Sequence, residues 1–209
     1  MKKFLVVFDV DSTLIDQEAI ELLADFAGSK NLVSQITERA MLGELDFSES
    51  LMQRVATLKN LDVSVLDQVS KSLTPTKGAK ALIEEIHSRG GKAAAVSGGF
   101  IQLLDPLKKE LNLDFHLANT LEISDQKLTG RVIGSIIDRE AKAEALIQWA
   151  AELGVELQNT IAVGDGANDI GMMGVAGLSV AFCAKPIVRE FAKVTIDERD
   201  LSLLIPYLP

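Results

Sequence analysis

The sequence offers little thiol or imidazole chemistry, with one cysteine and two histidines in 209 residues. The single cysteine, Cys183, allows no internal disulfide, and a reducing cytosol is its natural setting. His87 and His116 are isolated from each other, and their spacing indicates no nucleophilic triad. Neither residue type therefore points to the chemistry of the chain.

Long apolar runs and an excess of positive charge are also missing. No run approaches the length of a transmembrane helix, and the opening run, residues 4–8, is too short for the h-region of a signal peptide. Lysine and arginine total 21 against 30 acidic residues, a formal net charge of −9, which argues against broad binding to nucleic acid or acidic membranes. We therefore expect a cytoplasmic protein without such partners; its oligomeric state stays open.

What is present fits a globular protein with one sizeable core plus a small insertion. The strongest local pattern is the run Phe4-Leu5-Val6-Val7-Phe8, which is typical of a strand buried on both faces. The run stops at Asp9, and Asp11 follows on the same face of an extended chain. Two adjacent carboxylates repel each other unless a cation or a shared proton relieves them, and Mg²⁺ prefers oxygen ligands.

Residues 16–73 differ in character from the sequence on either side. Their pattern is helix-periodic and contains neither proline nor an obvious buried strand. The predicted helices begin near Glu18, Ser34, Asp46 and Ser64. Since strands resume directly after this segment, we interpret it as a small helical cap inserted into a core of residues 1–15 and 74–209. A separate helical domain is the alternative.

From Thr74 onward, predicted helices and strands alternate. Short buried strands are expected at 92–96, 115–118, 160–163 and 178–182, with an edge strand at 194–196 and a hairpin over 121–133. Pro106 should kink or divide a helix over 100–111. The alternation predicts an α/β fold whose core is a doubly wound, Rossmann-like parallel sheet.

Three of the predicted buried strands end in polar clusters. The clusters are Asp9 with Asp11, Ser97 with Gly98 and Gly99, and the stretch from Gly164 to Asp169. In a doubly wound sheet such ends can converge on one crevice, and a helix N-terminus beside them favours an anion. Each cluster alone is more typical of a turn or a helix cap. Together they indicate metal-assisted phosphate chemistry.

With a lysine that follows the second cluster, these clusters resemble the four motifs of the haloacid dehalogenase superfamily of phosphotransferases. Asp9-Val10-Asp11-Ser12-Thr13 matches the first motif, Ser97 the second, Lys142 the third and Gly164-Asp165-Gly166-Ala167-Asn168-Asp169 the fourth. The resemblance covers essentially the whole chain. Within the superfamily it is strongest to the phosphoserine phosphatases, through Glu18, Arg54 and the stretches 96–100 and 182–186.

The resemblance implies a Mg²⁺-dependent hydrolase that releases serine from phosphoserine, the last step of serine biosynthesis. Asp9 would be the nucleophile that forms an aspartyl-phosphate, and Asp11 the general acid and base. Asp9, the backbone carbonyl of Asp11 and Asp165 would hold Mg²⁺, and Asp169 would orient the metal shell from behind. The phosphoryl group would be bound by Ser97, Gly98, Lys142 and Asn168.

Two residues of the cap would select the substrate. Glu18 would pair with the ammonium of phosphoserine, and Arg54 would bind its carboxylate through the planar guanidinium. The residue pattern alone favours two ordinary exposed helix residues, and the resemblance favours the binding roles. Phe47 and Met41 would screen the site from water, with core packing as the alternative.

Two other functions stay open at this point. The first keeps the chemistry but changes the substrate to another small phosphomonoester, or the acceptor to an alcohol. The second is a phospho-accepting regulatory module with Asp9 as its switch. Asp11 argues against the switch, because a general acid and base beside a phosphoaspartate would hydrolyse it quickly.

Overall fold

The first apolar run forms the central strand of a seven-stranded sheet. The computed structural model describes residues 3–41 and 44–209, with the backbone alone at residue 41. Over these residues the strands are β1 (Leu5–Phe8), β2 (Lys92–Phe100), β3 (Phe115–Ser124), β4 (Lys127–Ile133), β5 (Thr160–Gly164), β6 (Leu178–Phe182) and β7 (Val194–Ile196). Their order is β4-β3-β2-β1-β5-β6-β7. Every neighbouring pair is parallel except β3 and β4, which form a hairpin.

Helices occupy the segments between the strands. They are α1 (Ala19–Phe26), α2 (Lys30–Met41), α3 (Phe47–Ala56), α4 (Ser64–Ser72), α5 (Ala79–Ser88), α6 (Ile101–Leu111), α7 (Arg139–Leu153), α8 (Ile170–Val175) and α9 (Pro186–Phe191). Asp46 caps α3 by accepting a hydrogen bond from the Glu49 N–H, as predicted. Among the described helices, none combines the length and the apolar character that crossing a membrane requires.

Side chains of β1 alternate between two buried layers. Phe4, Val6 and Phe8 face a cluster that contains the apolar stripes of α5 and α6. Leu5 and Val7 face a second cluster, built from α7, α8 and α9. Helices therefore cover both faces of the parallel sheet, which confirms the doubly wound prediction.

A third cluster joins α1, α2, α3 and α4. Leu23, Leu51 and Val69 are buried in it together with Phe100 and Leu121 from the sheet side of the molecule. The four helices thus pack against one another and also against the end of β2 and the β3–β4 hairpin. They lie between β1 and β2 in the chain, where the cap was expected.

Three local predictions were wrong in their bounds. Helix α2 begins at Lys30 rather than near Ser34, because the Ser29 carbonyl already accepts a hydrogen bond from the Val33 N–H. Strand β2 continues past Val96 to Phe100 through a register shift against β3. Strand β3 is continuous over Phe115–Ser124, where two separate strands were expected.

Pro106 does not divide α6. The helix runs unbroken from Ile101 to Leu111 with the proline inside it. Leucines on both sides of the proline, Leu103, Leu104, Leu107 and Leu111, are buried. Their packing supports the helix on both sides of the proline, which outweighs the local loss of a backbone donor.

Candidate active site

Asp9 lies directly after β1, at the carboxyl end of the central strand. Its N–H donates to the Val163 carbonyl of β5 at 2.9 Å, which extends the parallel ladder by one residue. The chain then turns tightly over Val10–Leu14, with Ser12 in the left-handed region at a φ of 57°. Asp9 is 5% exposed, so its carboxylate is fixed at the end of the strand rather than displayed to solvent.

Lys142 is the buried cation of this site. It lies in the first turns of α7, which Asp138 caps by accepting from the Ala141 N–H at 2.9 Å. Its Nζ donates to Asp9 Oδ1 at 2.5 Å and to Asp169 Oδ1 at 2.7 Å. Burial opposes the charged form of Lys142, but the carboxylates of Asp169 and Asp9 outweigh it and raise the pKa of the ammonium above its ordinary value.

Asp169 uses its carboxylate to hold the loop after β5. Oδ2 accepts hydrogen bonds from the N–H groups of Asp165 and Gly166 at 3.1 and 3.0 Å, while Oδ1 accepts from Lys142. Gly164 leaves room for this clamp, because a Cβ there would lie 2.5 Å from Asp169 Cγ. Both oxygens of Asp169 are thus engaged by protein donors, and the residue is fully buried.

Asp11 is held by different partners. Its Oδ1 accepts from the Ala19 N–H, the first residue of α1, at 2.7 Å, and its Oδ2 accepts from Ser97 Oγ at 3.2 Å. Ser97 Oγ in turn accepts from the Gly99 N–H at 2.7 Å. A Cβ at Gly99 would lie 2.8 Å from Asp11 Oδ2, so a glycine is needed there. Burial raises the pKa of Asp11, although these hydrogen bonds oppose the shift.

The arrangement can hold a metal ion. Asp9, Asp165 and Asp169 each place a carboxylate oxygen within 4.8 Å of the others. Burial first, and then the Asp169 charge, raise the pKa of Asp9 well above its ordinary value and that of Asp165 to about 6. A group of acids that resist ionising together is one that an added cation would stabilise. Carboxylate oxygens are the ligands that a hard divalent ion prefers.

A cavity of about 650 Å³ opens over these acids. Glu18, directly before α1, and Arg54, in α3, both line this cavity. Glu18 accepts a hydrogen bond from Ser12 Oγ at 2.6 Å, and burial followed by the Asp11 charge raises its pKa to about 7. Burial lowers the pKa of Arg54, while Glu18 and Asp11 oppose that shift.

The residues predicted for the site fall into two groups in the structure. One group lines the cavity and consists of Asp9, Asp11, Glu18, Arg54, Gly98, Asp165 and Asn168. The other lies buried behind its wall and consists of Ser97, Lys142 and Asp169. Phe47 also lines the cavity, whereas the side chain of Met41 lies outside the described residues.

Six further polar residues line the cavity without having been assigned a role from the sequence: Ser12, Glu21, Thr37, Ser50, Arg139 and Lys185. Lys185 follows β6, and its N–H donates to the Asp165 carbonyl at 3.0 Å. Polar residues that follow buried strands were the basis for selecting the other site residues, and the same reasoning could have found Lys185. Ser50 and Arg139 lie within ordinary helical patterns, which gave no signal.

Known proteins show the same architecture. The family model described as haloacid dehalogenase-like hydrolase matches residues 6–174. A phosphoserine phosphatase of Streptococcus thermophilus is 51% identical over 206 residues, which cover 99% of this chain and 96% of that protein. Two other curated relatives are longer, and the chain spans 49% of the length of each.

Two solved structures superpose closely on the chain. One is a phospho-aspartyl intermediate analogue of a phosphoserine phosphatase, with a TM-score of 0.95 and 45% identity. The other is a substrate-bound phosphoserine phosphatase complex, with a TM-score of 0.95 and 44% identity. In both comparisons 100% of each chain is covered.

Proposed function

The chain belongs to the haloacid dehalogenase-like hydrolase family, and we propose that it is a phosphoserine phosphatase that hydrolyses O-phosphoserine to serine and phosphate. The observation that carries the proposal is the pairing of buried Lys142 with Asp9 and Asp169 beneath a cavity that Glu18 and Arg54 line. The relatives of near-equal length support the same reaction.

Asp9 is the nucleophile in this proposal. Lys142 occupies Oδ1, so Oδ2 is the oxygen that attacks phosphorus in line and forms the phosphorus–oxygen bond of an aspartyl-phosphate. The bond between phosphorus and the serine oxygen breaks at the same time. Asp11, in its protonated form, gives its proton to the departing serine oxygen. Lys142 keeps the attacking carboxylate oriented throughout.

Asp11 acts a second time when water hydrolyses the intermediate. The carboxylate that remains after the first step takes a proton from the attacking water. The new phosphorus–oxygen bond forms as the bond to Asp9 breaks, which regenerates the Asp9 carboxylate and releases phosphate. Asp11 accepts hydrogen bonds from the Ala19 N–H and from Ser97 Oγ, and these bonds hold its carboxyl group in position for both proton transfers.

Mg²⁺ fits the carboxylates that Asp9, Asp165 and Asp169 bring together. Asp9, Asp165 and the backbone carbonyl of Asp11 would hold the ion, with Asp169 behind them. When bound, the ion supplies charge neutralisation that lets the carboxylate and the phosphate dianion meet. Asp169 is better suited to orient the metal ligands than to bind the ion directly, because protein donors already engage both of its oxygens. Gly98 and Asn168 line the cavity and hold the phosphoryl oxygens as charge redistributes. Ser97 and Lys142 act from behind the cavity wall, where they hold the Asp11 and Asp9 carboxyl groups that face the phosphoryl group.

Residues 16–73 form the cap of this enzyme and supply substrate selection. Glu18 pairs with the ammonium of phosphoserine and Arg54 with its carboxylate. No ion pair within 4.0 Å joins these two described residues to each other, so each is free to take the substrate group of opposite charge. Phe47 screens the site from water at the cavity wall.

Steady-state phosphate release tests the proposal. With Mg²⁺ present, the enzyme should hydrolyse phosphoserine far faster than sugar phosphates, and EDTA should stop turnover. A sugar phosphate preferred over phosphoserine would contradict the substrate. Assays with added alcohols detect transfer to an acceptor other than water. A phosphoenzyme that lasts for hours would instead favour the regulatory switch.

The variant Asp9→Asn tests the nucleophile. An amide cannot form the aspartyl-phosphate, so turnover should fall to background, at least roughly 10⁴-fold. The variant should stay folded by circular dichroism, because Lys142 keeps its hydrogen bond to Asp169. Retained turnover would remove Asp9 from this role.

A further inference from the structure

Ser50 carries a buried hydroxyl that has no hydrogen-bond partner among the described residues. The residue is 1% exposed, lies in the middle of α3 and lines the cavity over the acids. A buried hydroxyl without a partner is destabilising, because it has given up water and gained nothing in return. A residue that pays this cost at a binding cavity is a candidate for a contact made only with the ligand.

The helix around Ser50 does not use the hydroxyl. A helical serine commonly bonds the carbonyl four residues earlier, but here the Asp46 carbonyl accepts the Ser50 backbone N–H and no bond from Oγ. Rotation about a single bond redirects the hydroxyl of a serine. Its hydrogen is therefore committed to no acceptor among the described residues.

Arg54 lies one turn further along the same face of α3. Its Nε donates to the Ser50 backbone carbonyl at 3.2 Å, which fixes the guanidinium stem beside Ser50. Both side chains line the same cavity. A group that binds the guanidinium in this cavity thus comes close to the Ser50 hydroxyl.

Thr13 shows what distinguishes Ser50. It is the other buried hydroxyl without a partner in the described chain, and it is fully buried in the turn after Asp9. Thr13 does not line the cavity, whereas Ser50 does. Burial of a hydroxyl is thus not by itself a sign of binding, and the cavity position is the second observation.

We propose that Ser50 is a specificity-determining residue whose hydroxyl donates a hydrogen bond to the substrate carboxylate that Arg54 binds. This inference rests on the proposed function and adds a contact to it. In this proposal two side chains from consecutive turns of α3 bind the carboxylate: the cationic guanidinium of Arg54 and the neutral hydroxyl of Ser50. A hydrogen bond to a charged acceptor is stronger than one between neutral groups, so its loss is measurable.

The test compares Ser50→Ala with Ser48→Ala on two substrates. Ser48 lies on the same helix outside the cavity lining and supplies the matched control. Phosphoserine carries the carboxylate, and O-phosphoethanolamine is the same ester without it. Ser50→Ala should raise KM for phosphoserine about 10- to 100-fold and change KM for O-phosphoethanolamine less than about twofold. Ser48→Ala should change neither.

Thermal unfolding without substrate separates binding from folding. Ser50→Ala should unfold at the wild-type temperature or above it, because the hydroxyl it removes has no partner and alanine favours the helix. Equal losses on both substrates, or an unchanged KM for phosphoserine, would overturn the role of Ser50. Failure of the wild type to hydrolyse phosphoserine would instead overturn the proposed function, so the two failures are distinguishable.

Discussion

At the scale of single residues, the site depends on one lysine that has no access to solvent. Lys142 is 0% exposed and lies between Asp9 and Asp169. A buried ion pair adds little stability relative to well-packed apolar residues, yet removing one partner is costly, because charge is left unpaired. Lys142 is therefore better explained as a device that fixes the Asp9 carboxylate than as a source of stability.

The variant Lys142→Met should lower the free energy of unfolding by about 3–5 kcal/mol, because Asp9 and Asp169 lose their shared cation. Phosphate release should also fall to background. Urea denaturation in EDTA measures the stability change without a contribution from bound metal. Lys109→Met, at an exposed position on α6, is the control and should change stability by less than about 0.5 kcal/mol. A Lys142 variant as stable as the control would contradict this account.

Glu18 predicts how substrate binding depends on pH. Its pKa is raised to about 7 by burial and the Asp11 charge, with Asp165 adding to the shift and Lys185 opposing it. Above this pH the carboxylate is ionised and pairs with the substrate ammonium. Below it, the carboxyl takes a proton and the pairing weakens. The ratio of kcat/KM for phosphoserine to that for the analogue without the amino group should fall toward pH 6.

This ratio cancels the titration of the phosphate and of the catalytic acids, which act on both substrates alike. Between pH 8 and pH 6 we expect a decrease of roughly tenfold, since one unit below the pKa leaves about a tenth of the group ionised. In Glu18→Gln the ratio should be low at every pH. A wild-type ratio that stays constant across this range would remove Glu18 as the ammonium partner.

The residue scale also shows where sequence reasoning stops. Asp9, Asp11 and Asp165 could be predicted because each follows a buried strand, and strand ends of a parallel sheet meet at one edge. Ser50 could not, because a serine inside a helical pattern has no periodicity or spacing to mark it. Its significance depends on the lack of a partner, which only the packed structure reveals.

At the scale of elements, two short connections join the helices α1–α4, which we propose as the cap, to the sheet. The first follows β1 and the second precedes α5, and they pair antiparallel through a bridge between Ile15 and Pro75. Asp16 N–H donates to the Thr74 carbonyl at 3.0 Å, and Thr76 N–H donates to the Leu14 carbonyl at 2.8 Å. Motion of the cap relative to the core would have to flex these paired connections.

Arg199 braces the first connection from the far end of the chain. Its Nε donates to Asp16 Oδ1 at 2.6 Å, and its two terminal nitrogens donate to the Ser12 and Ile15 carbonyls at 3.2 and 3.1 Å. These contacts hold the turn that contains Asp11. The guanidinium therefore positions the turn without touching the substrate cavity.

The variant Arg199→Gln should lower the free energy of unfolding by about 1–2 kcal/mol and reduce kcat several-fold, because the turn after Asp9 loses its brace. Arg189→Gln is the matched control. Arg189 pairs with Asp197 on the surface and contacts no part of the turn, so the change should stay below about 1 kcal/mol. Urea denaturation and initial rates measure both effects. Equal behaviour of the two variants would show that the brace has no special role.

Element bounds were predicted well where local chemistry decides them. Asp46 and Pro186 mark helix starts through a cap and a first-turn proline, and both were found at those positions. The end of β2 was not predictable, because glycines at 98 and 99 read as a turn. They instead continue the strand through a register shift that brings the Gly98 backbone to the cavity.

At the scale of the whole molecule, the strand order explains why distant segments share one site. Strand β1 lies between β2 and β5, so the segments that follow these three strands are neighbours at one edge of the sheet. The alternation of helices and strands predicted this fold class. The single cysteine and the lack of long apolar runs argued against a disulfide-bonded or transmembrane protein. The β3–β4 hairpin was predicted from its two arms and its turn, and the structure contains it. The continuation of β3 back to Phe115, and the packing of the helices α1–α4 on that hairpin, depend on tertiary contacts that no local pattern encodes.

The charge gathered at this edge yields a prediction about the stability of the whole chain. Asp9, Asp165 and Asp169 converge there, and in the described part of the chain Lys142 is the one side-chain cation that pairs with any of them, through Asp9 and Asp169. An ion that binds the folded state alone stabilises it, by about 2.7 kcal/mol at a concentration 100 times its Kd. For a chain of this size, saturating Mg²⁺ should thus raise Tm by roughly 5–10 °C relative to EDTA.

Asp165→Asn locates the ion within the molecule. The variant loses one carboxylate ligand and should lose most of the Mg²⁺-dependent rise in Tm, while its Tm in EDTA should equal or exceed that of the wild type, because repulsion among the acids is relieved. Asp114→Asn removes an acid that pairs with Lys92 and His87 away from the cavity, and it should keep the full rise. Differential scanning calorimetry with and without Mg²⁺ measures all three proteins. A rise that survives in Asp165→Asn would place the ion elsewhere and would separate metal binding from the acids that the sheet brings together.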